Sequence, residues 1–185
     1  FINDERGYRK AMVHCLMTPE YITYTKKRIA TDQIFFTVIK GMLYALNASD
    51  GRMLWYFPVG EASERNAIKE YNGKVYISRT DGKLYGLDAK TGKQIWIKQT
   101  DEIFIKSPEL HQNLLFIPGD LRFVHVLNPE NGKTVHRFHI YNGISLMPAF
   151  KNELVAVMGF RTISLYKNNG SSYILLWKKN FPDFH

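Results

Sequence analysis

The sequence contains one cysteine, Cys15, among 185 residues. No disulfide can therefore form within the chain, and the cysteine content assigns no redox compartment. No apolar run approaches the roughly 18 residues that a membrane-spanning helix needs. A glycine-rich phosphate loop is also missing, because Gly41, Gly82 and Gly119 are isolated glycines at hairpin positions. The sequence thus predicts neither a membrane span, nor a disulfide framework, nor a phosphate-loop nucleotide site.

The chain also lacks an initiator methionine and a signal-peptide pattern, since it begins at Phe1. We expect a piece of a longer protein, with any targeting segment or membrane anchor outside this sequence. The formal net charge is +8, but the basic residues are scattered, and their densest clusters are residues 26–28 and 178–179. Because nucleic-acid-binding domains concentrate their basic residues further, no nucleic-acid partner is predicted.

What the sequence does contain is a repeat. An apolar run leads into Asn or Asp, then a turn that closes on glycine, then a large ring four residues later. The fourth copy is degraded, with extra residues before its ring. The turn glycines are Gly51, Gly92, Gly132 and Gly170, and the ring positions are Trp55, Trp96, His136 and Trp177. The rings recur every 40 or 41 residues, which is the period of a propeller blade.

The second copy shows how one blade is built. Residues 74–78, 84–87 and 93–98 are strand-like, and Asp81-Gly82 forms a hairpin turn between the first two. A further short strand fits before each copy, as at residues 65–70. Middle strands such as Phe35-Phe36 are apolar on both faces, which is typical of a sheet covered on both sides.

We therefore predict an all-β propeller segment of four four-stranded blades within one domain. Four blades are too few for a standard closed ring, so further blades are expected from a longer chain or a second subunit. The predicted blades lie near residues 29–60, 65–100, 105–140 and 145–180, with 1–28 unassigned or part of a preceding blade.

Residues 41–55 read Gly-x-Leu-Tyr-Ala-Leu-Asn-Ala-x-Asp-Gly-x-x-Leu-Trp, and residues 82–96 carry the same pattern. This pattern resembles the PQQ-like propeller repeat, strongly over 32–98, moderately over 112–140 and weakly over 152–180. The family includes quinone-dependent alcohol dehydrogenases, the lipoprotein propeller of the bacterial outer-membrane barrel-assembly machine, and luminal sensor domains of unfolded-protein kinases. The resemblance implies that the four ring residues dock adjacent blades and that the four glycines are turn residues with positive φ.

The enzymes of that family bind a quinone and calcium, and several carry a disulfide of adjacent cysteines. One cysteine excludes that disulfide, and no clustered Asp-Glu-Asn set stands out. A zinc site is not predicted either, because His136 and His139 point to opposite faces of a strand. His125 occupies the slot that Tyr44 and Tyr85 fill in other copies. We predict no enzyme, no catalytic residue, no cofactor and no metal.

The hairpin turns of successive blades gather on one rim, where we predict binding of a protein partner. Ordinary solvated turns are the alternative. The first hypothesis is a non-catalytic interaction or scaffold module outside the cytoplasm, periplasmic or lumenal, with a membrane link only through a missing anchor. A sensing domain of a membrane-bound signalling protein and a fragment of a quinone-dependent dehydrogenase are the alternatives. The predicted rim residues are Lys40, Arg79, Asp81, Asp120, Arg122 and Arg161.

Overall fold

A computed structural model describes residues 33–60, 67–104, 106–140, 146–170 and 172–181, and these ranges contain strands and turns without any helix. The predicted all-β propeller fold is confirmed. The strands are β1 (Ile34–Ile39), β2 (Met42–Asn47), β3 (Met53–Pro58), β4 (Ala67–Tyr71), β5 (Lys74–Ser78), β6 (Lys83–Asp88), β7 (Gln94–Gln99), β8 (Glu109–His111), β9 (Leu114–Pro118), β10 (Phe123–Leu127), β11 (Thr134–His139), β12 (Ala149–Lys151), β13 (Leu154–Met158), β14 (Thr162–Asn168) and β15 (Tyr173–Asn180).

The strands form four antiparallel sheets in chain order: β1–β3 (blade 1), β4–β7 (blade 2), β8–β11 (blade 3) and β12–β15 (blade 4). Blade 1 has three described strands, and residues 1–28, for which a partial blade was the expectation, lie outside the described residues. Among the described residues, no helix is long and apolar enough to cross a membrane.

The hydrophobic core lies between the blades, and alternate residues of each blade's strands pack in opposite directions. In blade 2, Val75 and Ile77 belong to the apolar cluster shared with blade 1, whereas Tyr76 belongs to the cluster shared with blade 3. Blade 3 repeats this arrangement, with Leu115 facing blade 2 and Phe116 facing blade 4. Each middle strand therefore needs apolar residues at every position, which explains the absence of polar alternation.

Two tryptophans join successive blades through the turn of the next sheet. Trp55 of blade 1 donates its Nε1–H to the Ala89 carbonyl of blade 2 at 3.0 Å. Trp96 of blade 2 donates to the Pro129 carbonyl of blade 3 at 2.8 Å. Each ring lies so close to the turn glycine that a β-carbon on Gly92 or Gly132 would stand 2.6 or 2.7 Å from it. Glycine is thus required there for space as well as for its positive φ.

The junction between blades 3 and 4 is built differently. Its ring, His136, packs on Tyr173 with the ring centres 4.9 Å apart, and Gly170 has open space where its β-carbon would lie. The turn that contains Gly170 closes with the Asn169 amide donating to the Ser172 carbonyl, unlike the three earlier turns. The extra residues of the fourth copy thus move its turn away from the ring. An aromatic cluster including Phe116, Phe138 and Phe150 fills the junction instead.

Trp177 occupies the strand position of a docking ring, but no following blade is described for it to dock on. It pairs with Leu165 just before the bulge of its sheet, as Trp96 pairs with Gly86 before the bulge of blade 2. Its exposed fraction is 48 %, whereas that of Trp96 is 7 %. No sheet follows β15 in the described part of the chain. Docking by Trp177 therefore requires a partner blade and stays a prediction.

Replacing Gly132 by Ala should destabilise the protein more than replacing Gly73 by Ala. Both glycines have nearly the same φ, 68° and 71°, so both variants carry the same backbone strain. Only at Gly132 would the new methyl group meet a tryptophan ring, because the space around Gly73 is open. We expect an additional loss of about 1–3 kcal/mol, measured by urea unfolding. Equal losses for the two variants would show that ring and turn do not need this close approach.

Candidate functional site

One end of the sheets collects the hairpins β1–β2, β5–β6, β9–β10 and β13–β14 together with the connections between blades. Backbone hydrogen bonds hold each connection to a hairpin. The Asp120 amide donates to the Ile103 carbonyl at 2.9 Å, and the Phe181 amide donates to the Arg161 carbonyl at 2.9 Å. We call this end the turn face. It comprises residues 40–41, 79–82, 100–104, 119–122, 146, 159–161 and 181, and it contains all six predicted rim residues.

Arg79 lies on the turn face but is not accessible there, which corrects its assignment as a partner-binding residue. Its guanidinium is almost fully buried and makes a double hydrogen bond with Asp81, at 3.1 Å from Nε and 2.8 Å from Nη2. The connection at Gly60 packs directly against it. Arg79 therefore fastens the hairpin to the blade connection, and its charge is neutralised by Asp81.

Two more of the predicted rim residues, Asp120 and Arg122, form ion pairs. Asp120 accepts a hydrogen bond from Lys106 at 3.0 Å, and both side chains are partly buried. Arg122 pairs with the exposed Asp101. These local pairs neutralise much of the mixed charge that the sequence predicted for the rim.

Lys40 and Arg161 are exposed at the tips of their hairpins. Arg161 lies over the Phe160 ring, with its guanidinium carbon 5.3 Å from the ring centre. Arg161 therefore borders exposed apolar surface of the turn face.

A buried carboxylate, Glu102, holds the connection between blades 2 and 3 to the next hairpin. Its oxygens accept the Leu121 amide at 3.0 Å and the Arg122 amide at 3.2 Å, and its side chain fills the space beside Gly119. Sequence reasoning missed this residue. Its position between repeats gave no periodic signal, because the motif ends before the connection.

Large apolar side chains are exposed on the same face, and sequence reasoning missed them too. Phe160 is 63 % exposed at the tip of the β13–β14 hairpin, and Leu121 is 43 % exposed at the β9–β10 hairpin. Ile103, Leu146 and Phe181 add exposed apolar surface beside these hairpins. We call these five residues the apolar turn patch. The signal was visible in the sequence, since Phe and Leu occupy hairpin tips where polar residues are usual.

His125 is a buried histidine inside blade 3, between the Phe104 and Phe123 rings. Neither ring nitrogen has a hydrogen-bond partner in the described part of the chain. Burial, with the Arg137 and Lys98 charges as smaller causes, lowers the pKa of His125 to about 4, against the opposing effect of Asp101. Within the described ranges, no three His, Cys, Asp or Glu side chains are grouped as metal ligands would be.

A model of the PQQ-like family, described as outer membrane protein assembly factor BamB, matches residues 24–137, which is more than half of the chain. The chain belongs to this BamB-like family. A comparison with curated proteins finds no match.

Solved structures share the fold of this BamB-like chain. BamB from Moraxella catarrhalis is 18 % identical, with a TM-score of 0.63 over 83 % of this chain and 50 % of that one. The quinohemoprotein alcohol dehydrogenase ADHIIG from Pseudomonas putida HK5 is also 18 % identical, with a TM-score of 0.60 over 82 % of this chain and 33 % of that one. The computationally designed Ika8 protein is 15 % identical, with a TM-score of 0.68 over 83 % and 48 %. The BamB-like chain thus spans about half the length of the solved BamB.

The BamB-like fold should lose stability as the pH falls below about 6.5, the ordinary pKa of histidine. The unfolded chain binds a proton at His125 there, whereas the folded chain resists it until about pH 4. The loss should approach on the order of 3 kcal/mol at pH 4, read from urea unfolding between pH 7 and pH 4. Burial lowers the pKa of His136 as well, which adds to the loss.

The His125→Phe variant separates this effect from general acid sensitivity. Phe keeps a ring between Phe104 and Phe123 and sacrifices no hydrogen bond, because the His125 nitrogens make none. Its stability should fall less steeply with acid than that of the parent chain. An unchanged slope would show that His125 does not titrate on unfolding.

Replacing Glu102 by Gln should destabilise the protein by about 1–3 kcal/mol in urea unfolding, because an amide nitrogen then faces a buried backbone N–H. The control is Glu130→Gln, which removes a charge from an exposed ion pair with Lys74. That pair should contribute less than about 1 kcal/mol. If both variants lost the same small amount, the Glu102 carboxylate would not be holding the hairpin.

Proposed function

We propose that this chain is a non-catalytic interaction module that acts outside the cytoplasm in the assembly of outer-membrane proteins. The observation that carries the proposal is the match of the BamB assembly-factor model to more than half of the chain. The likeness to quinoprotein dehydrogenases is below 20 % identity and supports the shared fold alone. The chain covers half of the solved BamB, so the activity of a whole protein belongs to the proposal as well.

The apolar turn patch is the surface that we assign to partner binding. Five large apolar side chains are exposed at the hairpins and connections of this face, and exposed apolar surface of this kind is typical of a protein-binding site. We assign partner binding to this patch and not to Arg79, because Arg79 is buried. Arg122, exposed and paired with Asp101, and Arg161, over Phe160, lie at its polar border. An apolar centre with a charged border is the usual anatomy of an interface.

The proposal predicts position-specific crosslinking. A photoreactive phenylalanine analogue at position 121 or 160, in the chain exported to the periplasm of a bacterium with an outer membrane, should crosslink a protein of the outer-membrane assembly machinery. Mass spectrometry identifies the product. The matched control is position 135 on the outer strand β11, where Val135 is as exposed as the patch residues, and this position should give no such product.

Substitutions then give the strength of the contact. Leu121→Ser and Phe160→Ser should each weaken binding of the crosslinked partner about 10-fold, and Val135→Ser should have little effect. Equal crosslinking at all three positions, or a partner unrelated to outer-membrane assembly, would contradict the proposal. Turnover of an alcohol by the purified chain with added quinone, calcium and a dye acceptor would overturn its non-catalytic part.

A further inference from the structure

The junction of blades 2 and 3 carries charge where its outer strands approach each other. Lys98 on β7 pairs with Leu84, which belongs to the apolar cluster shared with blade 3, so Lys98 lies on the face toward blade 3. Arg137 on β11 pairs with His125 on β10, so these two side chains share one face of blade 3. That face is turned toward blade 2, because Ile117, which pairs with His125 on β9, belongs to the same cluster. We call Lys98, His125 and Arg137 the basic mouth of this junction.

The equivalent register positions of the other described junctions are mostly apolar. Between blades 1 and 2 they are Phe57, Tyr85 and Ile97, and the ring centres of Phe57 and Tyr85 lie 5.6 Å apart. Between blades 3 and 4 they are Phe138, Ser164 and Lys178. Among the three described junctions, the one between blades 2 and 3 alone combines two cations with a histidine at these positions.

The buried member of the basic mouth is His125. It is 2 % exposed, and neither of its ring nitrogens has a hydrogen-bond partner in the described part of the chain. Burial is the largest cause of its lowered pKa, and the charges of Arg137 and Lys98 act in the same direction, so both cations act on the His125 ring. A buried polar group without a partner needs an explanation, and a negatively charged ligand near the two cations supplies one.

The described residues do not balance the charge of the two cations. Arg137 lies over the Phe123 ring, with its guanidinium carbon 4.9 Å from the ring centre. Within the described ranges, neither Arg137 nor Lys98 forms an ion pair with an acidic side chain. Asp101, whose charge also acts on His125, pairs with Arg122 instead. Two positive charges are thus placed on facing walls of one junction.

We propose that the basic mouth binds a tetrahedral oxyanion with two negative charges, of the sulfate and phosphate class. Lys98 donates to it from blade 2, and Arg137 donates to it from blade 3. Cations on opposite walls require oxygens on several sides of the ligand, which a tetrahedral dianion offers. A single carboxylate has one charge and is satisfied by one arginine fork. The Phe123 ring beside Arg137 provides an apolar surface for whatever is attached to the anion.

Isothermal titration calorimetry of the purified chain with sodium sulfate tests the proposal, at an ionic strength held constant with sodium chloride. Lys98→Gln and Arg137→Gln should each weaken sulfate binding about 10-fold, because each removes a hydrogen bond from a charged donor. The control Lys178→Gln removes the cation at the same register position in blade 4, where Phe138 replaces the second cation. It should bind sulfate as the parent chain does. An absence of saturable sulfate binding, or an equal loss in all three variants, would overturn the proposal.

Three further probes define the ligand. Inorganic phosphate should bind as sulfate does, and acetate, with one charge, should bind about 10-fold more weakly or worse. Acetate that bound as tightly as sulfate would contradict the assignment of a dianion. Phenyl phosphate separates two sources of the same chemistry. Binding tighter than that of inorganic phosphate supports a phosphate ester of a larger molecule that lies against Phe123, and equal or weaker binding supports the free ion.

His125 supplies a readout that a general attraction of anions does not. A bound dianion offsets the two cations that oppose protonation of His125, so binding and protonation favour each other. Sulfate, which keeps both charges, should therefore bind about 3-fold or more tightly at pH 5 than at pH 7.5. The charged and titratable groups around His125 are Lys98 on β7, Asp101 on the connection, Arg122 before β10, and Arg137 and His139 on β11.

Two histidine variants assign this pH dependence. His125→Phe should bind sulfate at pH 7.5 and lose the increase at pH 5, whereas His139→Gln should keep the increase. The reverse result would overturn the part of the proposal that concerns His125.

A repacked variant tests the whole mouth with residues that the chain already uses. Lys98→Phe, His125→Tyr and Arg137→Ile together give this junction the residues of the junction between blades 1 and 2. The triple variant should lose sulfate binding completely, and circular dichroism checks its fold. Sulfate binding that survived in the folded triple variant would overturn the proposal. The single variants decide the matter if the triple variant does not fold.

Discussion

The structure depends on one constraint: each sheet is apolar on both faces, so no blade is stable without neighbours. Val75 and Tyr76 are adjacent in one strand, yet they belong to the cores of two different junctions. The middle strands are buried on both faces. Polar side chains therefore lie mainly at the ends of these strands and on the outer strand of each blade. The chain therefore places its charges and its conformational variety in turns and connections. Stability is a property of junctions rather than of blades, as in other repeat proteins.

The three described junctions show that this constraint can be met in two ways. Trp55 and Trp96 combine a directed hydrogen bond to a turn carbonyl with contact on a glycine, which fixes both the distance and the angle between blades. The third junction has no such directed bond from its ring, and His136 instead enters a cluster of rings around Phe138 and Tyr173. Aromatic packing buries apolar surface there without a hydrogen bond that fixes one ring orientation. The same fold therefore tolerates loss of the repeat motif, provided that the apolar volume between the sheets is replaced.

The sequence predicted the fold because the repeat encodes it locally. Turn glycines and ring positions are set by residues close to one another in the chain, and Trp177 could be aligned despite its altered turn because it lies 41 residues after His136. The same reasoning placed the rim at the hairpins but was wrong about the exposure of Arg79. The burial of Arg79 depends on Gly60, and the role of Glu102 depends on amides about twenty residues away. Contacts between a connection and the next hairpin involve side chains outside the repeat motif, so reasoning from that motif did not find them.

This division also explains why the family resemblance reveals more about fold than about activity. The motif residues are used at the junctions: the rings donate to carbonyls, and the glycines make room for the rings. The turn face is built from residues outside the motif, such as Leu121, Phe160 and Glu102. The exposed residues among them, Leu121 and Phe160, belong to none of the three junction clusters, so they can vary while the repeat stays recognisable. We therefore expect the binding specificity of such a chain to depend on its connections and hairpins, where large apolar side chains are exposed at positions that are usually polar.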